Sequence, residues 1–334
     1  MSVERILLGH GSGGRMMHRL ISELMAPAFR VSGYGDAALL GACGPGRLAF
    51  TTDGYVVSPV FFPGGTIGEL AVNGTVNDLA VSGARPLALS AGFILEEGLP
   101  IADLRRIVAA MAAAADAAGV AIVAGDTKVV ERGTCDGIFI TTSGVGLVPE
   151  GRELSPRLVR PGDAILISGH TGTHGVAVMA GRNGLFFEPP LASDTAALNG
   201  LTEAMFATGA AIRVMRDPTR GGLATTLKEF GLESGRRLLV READIPVLPG
   251  VRGACDLLGL DPLHVANEGI LVAVAAPGDA AVLVAAMRAH PFGRDASVIG
   301  EVLGEDDGKV LLQTAAAGTR LLDMLPGEQL PRIC

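Results

Sequence analysis

The sequence has 334 residues, of which 49% are hydrophobic, with 47 glycines, no tryptophan and a formal net charge of −8. That length exceeds one ordinary core and points to two domains, each able to bury a substantial interior. The negative balance and the lack of any basic run exclude a protein that grips nucleic acid by neutralising phosphates, and no apolar stretch reaches the length of a membrane span.

The opening MSVERILLGHGSGGRMM breaks, with charges and glycines, the apolar run that a signal peptide needs, so a cytoplasmic protein is expected. Within it, GHGSGG (Gly9 to Gly14) matches G-x-G-x-x-G and leads into a predicted helix, RMMHRLISELM. The strand before it would be only RILL, and FRVSGYGDAALLG after it is no buried strand ending in an acid, so a dinucleotide-binding unit is not predicted. Backbone N–H groups around Gly11, Ser12 and Gly13 are instead candidates for wrapping phosphates.

Alternating elements follow. RLAFTTDGYVV reads as a strand, TIGELAVNGTVNDLAVSG as a helix ending at Gly83, LALSAGFILEE as a strand, and IVAAMAAAADAAG as a helix closed by Gly119. VAIVAGDTKVV and GIFITTSGVGLV are two more strands, and PEGRELSPRLVRPGD is the most linker-like segment. The second half offers the strand AILISG, a glycine-rich turn, a helix after Gly175 and the loop and helix DPTRGGLATTLKEFGLESG. The strand GILVAVA, the helix DAAVLVAAMRAH and a last strand pair, ASVIGEVL and GKVLLQT, complete it. Without a regular βαβ rhythm the class expected is α+β. The expected division is an arm over 1–40, a first domain over 41–153, a second over 154–314 and a mobile tail over 315–334.

Four acids stand at element ends or in an apolar helix: Asp36, Asp53, Asp78 and Asp126. Asn73 and Asn77 share the helix of Asp78, where polar groups cost stability unless satisfied. In a chain with no G-x-x-x-x-G-K-[ST], the four acids suggest a Mg²⁺ site that holds nucleotide phosphates through hard oxygen ligands. Lys128, two residues past Asp126 and one past Thr127, is placed to meet the same phosphates. SGHTGTHGVAV and RDPTRGGLAT each open into a helix, as anion sites do, and the second carries Arg220. His170 and His174 are as consistent with capping as with catalysis. HVANEGILVAVA sets Glu268 before an apolar strand, where burial would raise its pKa and suit it to act as a base. Cys43, Cys135, Cys255 and Cys334 form no C-x-x-C, which predicts neither a disulfide framework nor a zinc site. A thiol at Cys334, the last residue, is an exposure that needs a reason.

Taken together, HGSGGR, TTDGYVVSPVFFPGG, LAVNGTVNDLAVSGARP, VAGDTKVV, RDPTRGGLAT, HVANEGILVAV and the terminal PRIC resemble the hydrogenase-maturation carbamoyl dehydratases, the HypE family, in order along the whole chain. That family is similar to aminoimidazole ribonucleotide synthetase, selenophosphate synthetase and thiamine monophosphate kinase, and the terminal cysteine separates it from them. The resemblance implies two PurM-like α/β domains, the first contributing to a β-barrel in a homodimer, with an ATP site at the dimer interface. It implies ATP and Mg²⁺ as cofactors, with Asp36, Asp53, Asp78 and Asp126 at the metal, and Gly11, Ser12, Gly13, Asn73, Asn77, Thr127 and Arg220 at ATP and its phosphates. Cys334 would carry a thiocarbamate loaded by the carbamoyltransferase HypF, Lys128 would steady the transferring phosphoryl group, and Glu268 would take the N–H protons. The resulting thiocyanate would pass cyanide to iron on a HypC–HypD complex. Relatives differ at Gly35, Thr66 and Thr173, where they carry acids. Two other readings compete: a related ATP-dependent enzyme acting on a small molecule, indifferent to loss of the tail, and a thiol carrier without ATPase activity.

Overall fold

The computed structural model describes residues 4–12, 14–31, 37–41, 43–185, 187–316, 318–327 and 333–334, so Gly13, Gly35 and Asp36 lie outside the described residues. An arm comes first: a 3₁₀ turn over Leu8–Gly11, then α1 (Arg15–Leu20), a π-helical turn (Ile21–Met25) and α2 (Ala26–Phe29). The first domain runs β1 (Gly46–Tyr55), the short β2 (Phe61–Phe62) and β3 (Gly65–Thr66), α3 (Ile67–Val81), β4 (Arg85–Glu96), α4 (Ile101–Ala118), β5 (Ala121–Val130) and β6 (Ile138–Pro149).

The four long strands make one sheet in the order β1-β6-β4-β5. All neighbours are antiparallel except β4 and β5, which run parallel because α4 carries the chain back between them. α4 ends where Gly119 turns left-handed at φ +68°, a conformation open to glycine. α3 starts in a capping box: Thr66 accepts from the Gly68 N–H while the Glu69 carboxylate accepts from the Thr66 N–H and hydroxyl. Thr66, one of the departures, is therefore a helix cap.

Helix α3 is buried nearly all round, with Leu70, Ala71, Val72 and Val76 fully enclosed, because the sheet, α4 and the second domain all pack on it. Among the described residues the other face of the sheet is largely uncovered. There Leu48 and Phe50 remain 66% and 71% exposed and Ile94 41%. The register sets Leu48 beside Leu147, Phe50 beside Val145 and Ile94 beside Phe139, so the open face carries two apolar patches separated by a polar row of Thr52, Ser143 and Ser90.

The second domain runs β7 (Ala164–Ile167), α5 (Thr173–Asn183), α6 (Asn199–Ala207), β8 (Ile212–Arg216), α7 (Gly222–Ser234), β9 (Leu238–Arg241), α8 (Pro249–Leu258), β10 (Val272–Ala275), α9 (Ala280–Arg288), β11 (Ser297–Val302), β12 (Val310–Gln313) and β13 (Thr319–Leu322). Its sheet has the order β13-β12-β9-β11-β7-β10-β8. β7 and β10 lie inside it with every residue buried, which is why AILI and VAVA are unbroken apolar runs. α5 begins at Thr173, ahead of Gly175, and α6, α8, β8 and β9 are elements the pattern reading did not supply. β13 pairs with β12 from Thr319 to Leu322, so the sheet continues past residue 314 into the stretch expected to be tail.

Candidate active site

The domains meet along α3, and the site is built on that seam. Asn77 is fully buried in α3; its amide nitrogen donates to the Ala196 and Glu268 carbonyls, and its amide oxygen accepts from the Leu198 N–H. Every hydrogen-bonding group of that side chain is thus committed to the second domain, and none is left for a phosphate. Asn73, one turn earlier, donates to the Thr195 hydroxyl at 3.2 Å.

A cleft of about 740 Å³ opens beside this seam, lined by Thr51, Asp78, Arg216, Asp217, Thr219 and Arg220 among others. Asp78 accepts from the Thr51 hydroxyl at 2.7 Å, and Asp53 lies 3.9 Å from the Arg220 guanidinium. Burial raises the pKa of Asp78, and the nearby Asp53 charge adds to it. Asp217 is 7% exposed; burial first and the Asp78 charge second push its pKa up to about 7. Asp217 was not singled out from the sequence, although it stands in the same RDPTRGG that yielded Arg220. An aspartate before proline reads as ordinary turn chemistry, and only the packing shows it buried against other acids.

Glu268 is the most enclosed of these carboxylates at 2% exposure. Burial raises its pKa well above the ordinary value, with the Asp217 and Asp194 charges adding to the effect. Asp194 accepts from the Glu268 and Gly269 N–H groups at 3.2 Å and fixes this turn; burial lifts its own pKa to about 6.

Cys334 sits against this group. Ile333 is buried in the core of the first domain, the Val56 N–H donates to the Cys334 carbonyl at 3.3 Å, and Arg220 is hydrogen-bonded to Cys334. Burial, with the Glu268 charge behind it, pushes the thiol pKa up to about 12 against the opposing pull of Arg220. The expected tail thiol is thus seen docked.

Asp126 and Lys128 stand elsewhere. They lie on β5, the opposite edge of the sheet from Asp53 on β1, and three strand spacings make that about 14 Å. They project on the open face, both about 60% exposed, and pair at 2.8 Å. The Lys128 hydrogen bond lowers the Asp126 pKa. Gly11 is beside them: a Cβ there would come within 2.5 Å of the Val129 nitrogen, so the arm can lie on β5 only without a side chain at this point. Ser12 turns inward to the Gly9 carbonyl, and Thr127 is buried, with its hydroxyl 3.6 Å from Met25 Sδ. One set of predicted residues (Asp53, Asp78, Arg220, Glu268, Cys334) is thus brought together, and a second (Gly11, Asp126, Thr127, Lys128) forms a separate group. Among the described residues no three His, Cys, Asp or Glu side chains converge closely enough to hold a metal ion. No helix among them is long and apolar enough to cross a membrane.

Residues 34–148 match the AIR synthase related protein N-terminal domain and residues 160–313 the corresponding C-terminal domain. The chain is 55% identical over 333 residues, 99% of its length and 95% of the relative's, to the carbamoyl dehydratase HypE of Cupriavidus necator. The chain belongs to the HypE family. A crystal structure of the hydrogenase maturation protein HypE in complex with ATP superposes with a TM-score of 0.94 at 50% identity, covering 98% of this chain and 99% of that one. A HypE–HypF complex superposes with a TM-score of 0.81 at 48% identity, covering 92% and 99%. The two-domain α/β architecture of HypE is therefore the architecture of this chain, and Ile333 and Cys334 of the terminus that set it apart are held at His174, Val56 and Arg220.

Proposed function

We propose that this protein is an ATP-dependent carbamoyl dehydratase that converts a thiocarbamate on its own Cys334 into a thiocyanate, supplying cyanide for the iron of [NiFe]-hydrogenase. The observation that carries the reading is the terminal Ile333 and Cys334 held by His174 and Val56, with the thiol at Arg220 and under the Glu268 charge, beside a cleft lined with acids and arginines. Burial penalises the free thiolate but not a thiocarbamate, which is uncharged, so the docked position suits the loaded residue better than the empty one. A thiol held near pKa 12 is a poor nucleophile at neutral pH, so loading by HypF would take place with Cys334 out of this position.

The steps balance as follows. The carbamoyl oxygen attacks the γ-phosphorus of ATP and ADP leaves, while one N–H proton is lost to give S–C(OPO₃)=NH. Loss of the second N–H proton forms the C≡N bond as phosphate departs with the oxygen. Glu268 is the base proposed for these protons: its raised pKa gives the carboxylate more basicity than an exposed one, and its charge is felt at the Cys334 thiol. Arg220 faces both Cys334 and Asp53 and would steady negative charge on the transferring group.

Asp53, Asp78 and Asp217 line the cleft with hard oxygens that repel one another; because three of them do not converge on one point, a Mg²⁺ ion there would take one or two of them and complete its shell with phosphate oxygens and water. The ion would shield phosphate charge, and these residues would hold it. Lys128 and Asp126 cannot reach that cleft within one subunit. A second copy covering the apolar patches of Leu48, Phe50 and Ile94 would bring its own β5 edge over, with Gly11, Thr127, Asp126 and Lys128, and so complete the ATP site. Cyanide transfer to HypC–HypD and residence in the cytoplasm belong to the same reading.

Intact mass spectrometry of the carbamoylated protein, before and after Mg·ATP, is the test. Loss of one water mass, about 18 Da by covalent bookkeeping, from the C-terminal peptide only with ATP is expected. A thiocarbamate that persists with ATP bound overturns the reading in favour of a carrier.

A further inference from the structure

The docked terminus is gripped by a side chain that the dehydration chemistry does not use. His174, in the first turn of α5, is fully buried, and its ring meets Phe62 edge-on at 5.4 Å between centroids. Its Nε2 lies 2.9 Å from the Ile333 carbonyl oxygen and its Nδ1 lies 2.8 Å from the Ser193 hydroxyl. A carbonyl oxygen only accepts, so Nε2 must carry a hydrogen. In the neutral ring Nδ1 then accepts, so the Ser193 hydroxyl donates to it while the Ser193 oxygen accepts from the Thr195 N–H at 3.1 Å. The relay therefore runs from the Thr195 N–H through the Ser193 hydroxyl to a neutral imidazole, and from Nε2–H to Ile333. Burial lowers the His174 pKa to about 4, in keeping with that neutral form.

The same short strap that orients the ring also carries the base. Asp194 holds the Glu268 and Gly269 N–H groups and also accepts from the His174 backbone, while Thr195 accepts from Asn73 of α3. The grip on the tail and the seat of Glu268 are thus fixed to each other by three consecutive residues.

We propose that His174 is the positioning residue that docks the C-terminus: its Nε2–H recognises the Ile333 carbonyl, and with the buried Ile333 side chain it sets Cys334 against Glu268 and Arg220. The docking stands on geometry alone; its consequence for rate rests on the dehydratase reading.

The experiment labels Cys334 with a maleimide in the full-length, uncarbamoylated protein without ATP, resolved by peptide mass spectrometry. Cys255, which is fully buried, reports any general loosening. His174→Ala is expected to label Cys334 about tenfold faster, the effect of one lost hydrogen bond, with Cys255 still protected. His174→Gln, which keeps a donor near the Nε2 position, should restore most of the protection. Ile333→Ala, with His174 intact, should also speed labelling, and the double variant should be no faster than the faster single. Wild-type labelling of Cys334 in His174→Ala, or His174→Gln as fast as His174→Ala, overturns the proposal. In carbamoylated protein, His174→Ala should slow water loss at saturating ATP while leaving ATP affinity unchanged. If the labelling pattern holds but even the wild type loses no water, the docking role stands and the dehydratase reading falls.

Discussion

The two edges of the first sheet carry charge in opposite ways. At the β1 edge Asp53, Asp78, Asp217 and Glu268 crowd into the seam between domains, and burial and mutual repulsion raise the pKa values of the last three. At the β5 edge Asp126 and Lys128 form an exposed ion pair on the open face, with Asp126 shifted down. A group kept at a raised pKa is poised to exchange protons or to welcome a cation, whereas an exposed pair contributes little to its own fold, about 0–1 kcal/mol. The difference teaches that the two edges are built for different work, one burying acids between the domains and the other exposing an ion pair; on the proposed reading, the second acts at another subunit's site.

The strongest way to break this comparison is Glu268→Gln. It removes the base while keeping shape and hydrogen-bonding capacity, and we expect water loss from carbamoylated Cys334 to fall by about 10²–10⁴ with ATP binding retained. Unchanged turnover would remove Glu268 from the mechanism. At the other edge Lys128→Ala should also lose activity, yet its thermal stability should match wild type, since the pair is exposed. A large drop in Tm for Lys128→Ala would show that the two edges do not differ as argued.

Gly74 tests the packing beneath the buried acids. A Cβ at Gly74 would come within 2.2 Å of the Tyr55 hydroxyl, and Tyr55 is 2% exposed. Gly74→Ala should therefore destabilise by about 1–3 kcal/mol despite the better helix propensity of alanine, and Tyr55→Phe in the same chain should recover most of it. Denaturant titration of the three variants measures this; additive losses would place the strain elsewhere.

If each complete site takes Glu268 from one subunit and Lys128 from another, inactive Glu268→Gln and inactive Lys128→Ala proteins should complement when unfolded and refolded together. Random pairing makes half of the dimers mixed, each with one intact site of two, so about a quarter of wild-type activity should return. No recovery from a verified mixed dimer would place both residues at one subunit's site.

Much of this was legible in the sequence, and what was not has physical causes. The long elements of the first domain followed from apolar periodicity and from Gly119, and Glu268 before an apolar strand already implied burial. The short strands β8 (IRVMR) and β9 (LLVR) are interrupted or ended by arginine, unlike the equally short but wholly apolar β7 and β10, and β13 is an edge strand with three of its four residues exposed. Asn77 was read as a phosphate ligand because a polar residue in an apolar helix needs a partner; its partners are backbone groups about 120 and 190 positions away, which no local pattern can announce. The same holds for His174, whose acceptor is 159 residues distant.

The smallest effect is the pH dependence of the buried acids, and it separates the two edges by sign. Burial and the Asp78 charge push the Asp217 pKa up to about 7 in the folded protein, from its ordinary value of 3.8 when unfolded. Between those values the folded state binds the extra proton, so this contribution to stability is full below about pH 4 and is lost as pH rises toward 7. His174 opposes it: with its pKa depressed from 6.5 to about 4, its contribution is full above 6.5 and is lost as pH falls through 4. The net wild-type curve mixes these two with the raised pKa values of Asp78, Asp194 and Glu268, so the informative quantity is the difference from Asp217→Asn. Without divalent cations, wild-type stability relative to Asp217→Asn should decline from pH 4 to pH 7, read as a Tm difference of several degrees. Asp126→Asn should do the reverse, because the folded-state pKa of Asp126 is depressed and wild type gains its small contribution only as pH rises. Adding Mg²⁺ at pH 7 should raise wild-type Tm more than that of Asp217→Asn, since the cation settles the repulsion the variant no longer has. Equal slopes for wild type and Asp217→Asn would mean that Asp217 is already paired in the free protein.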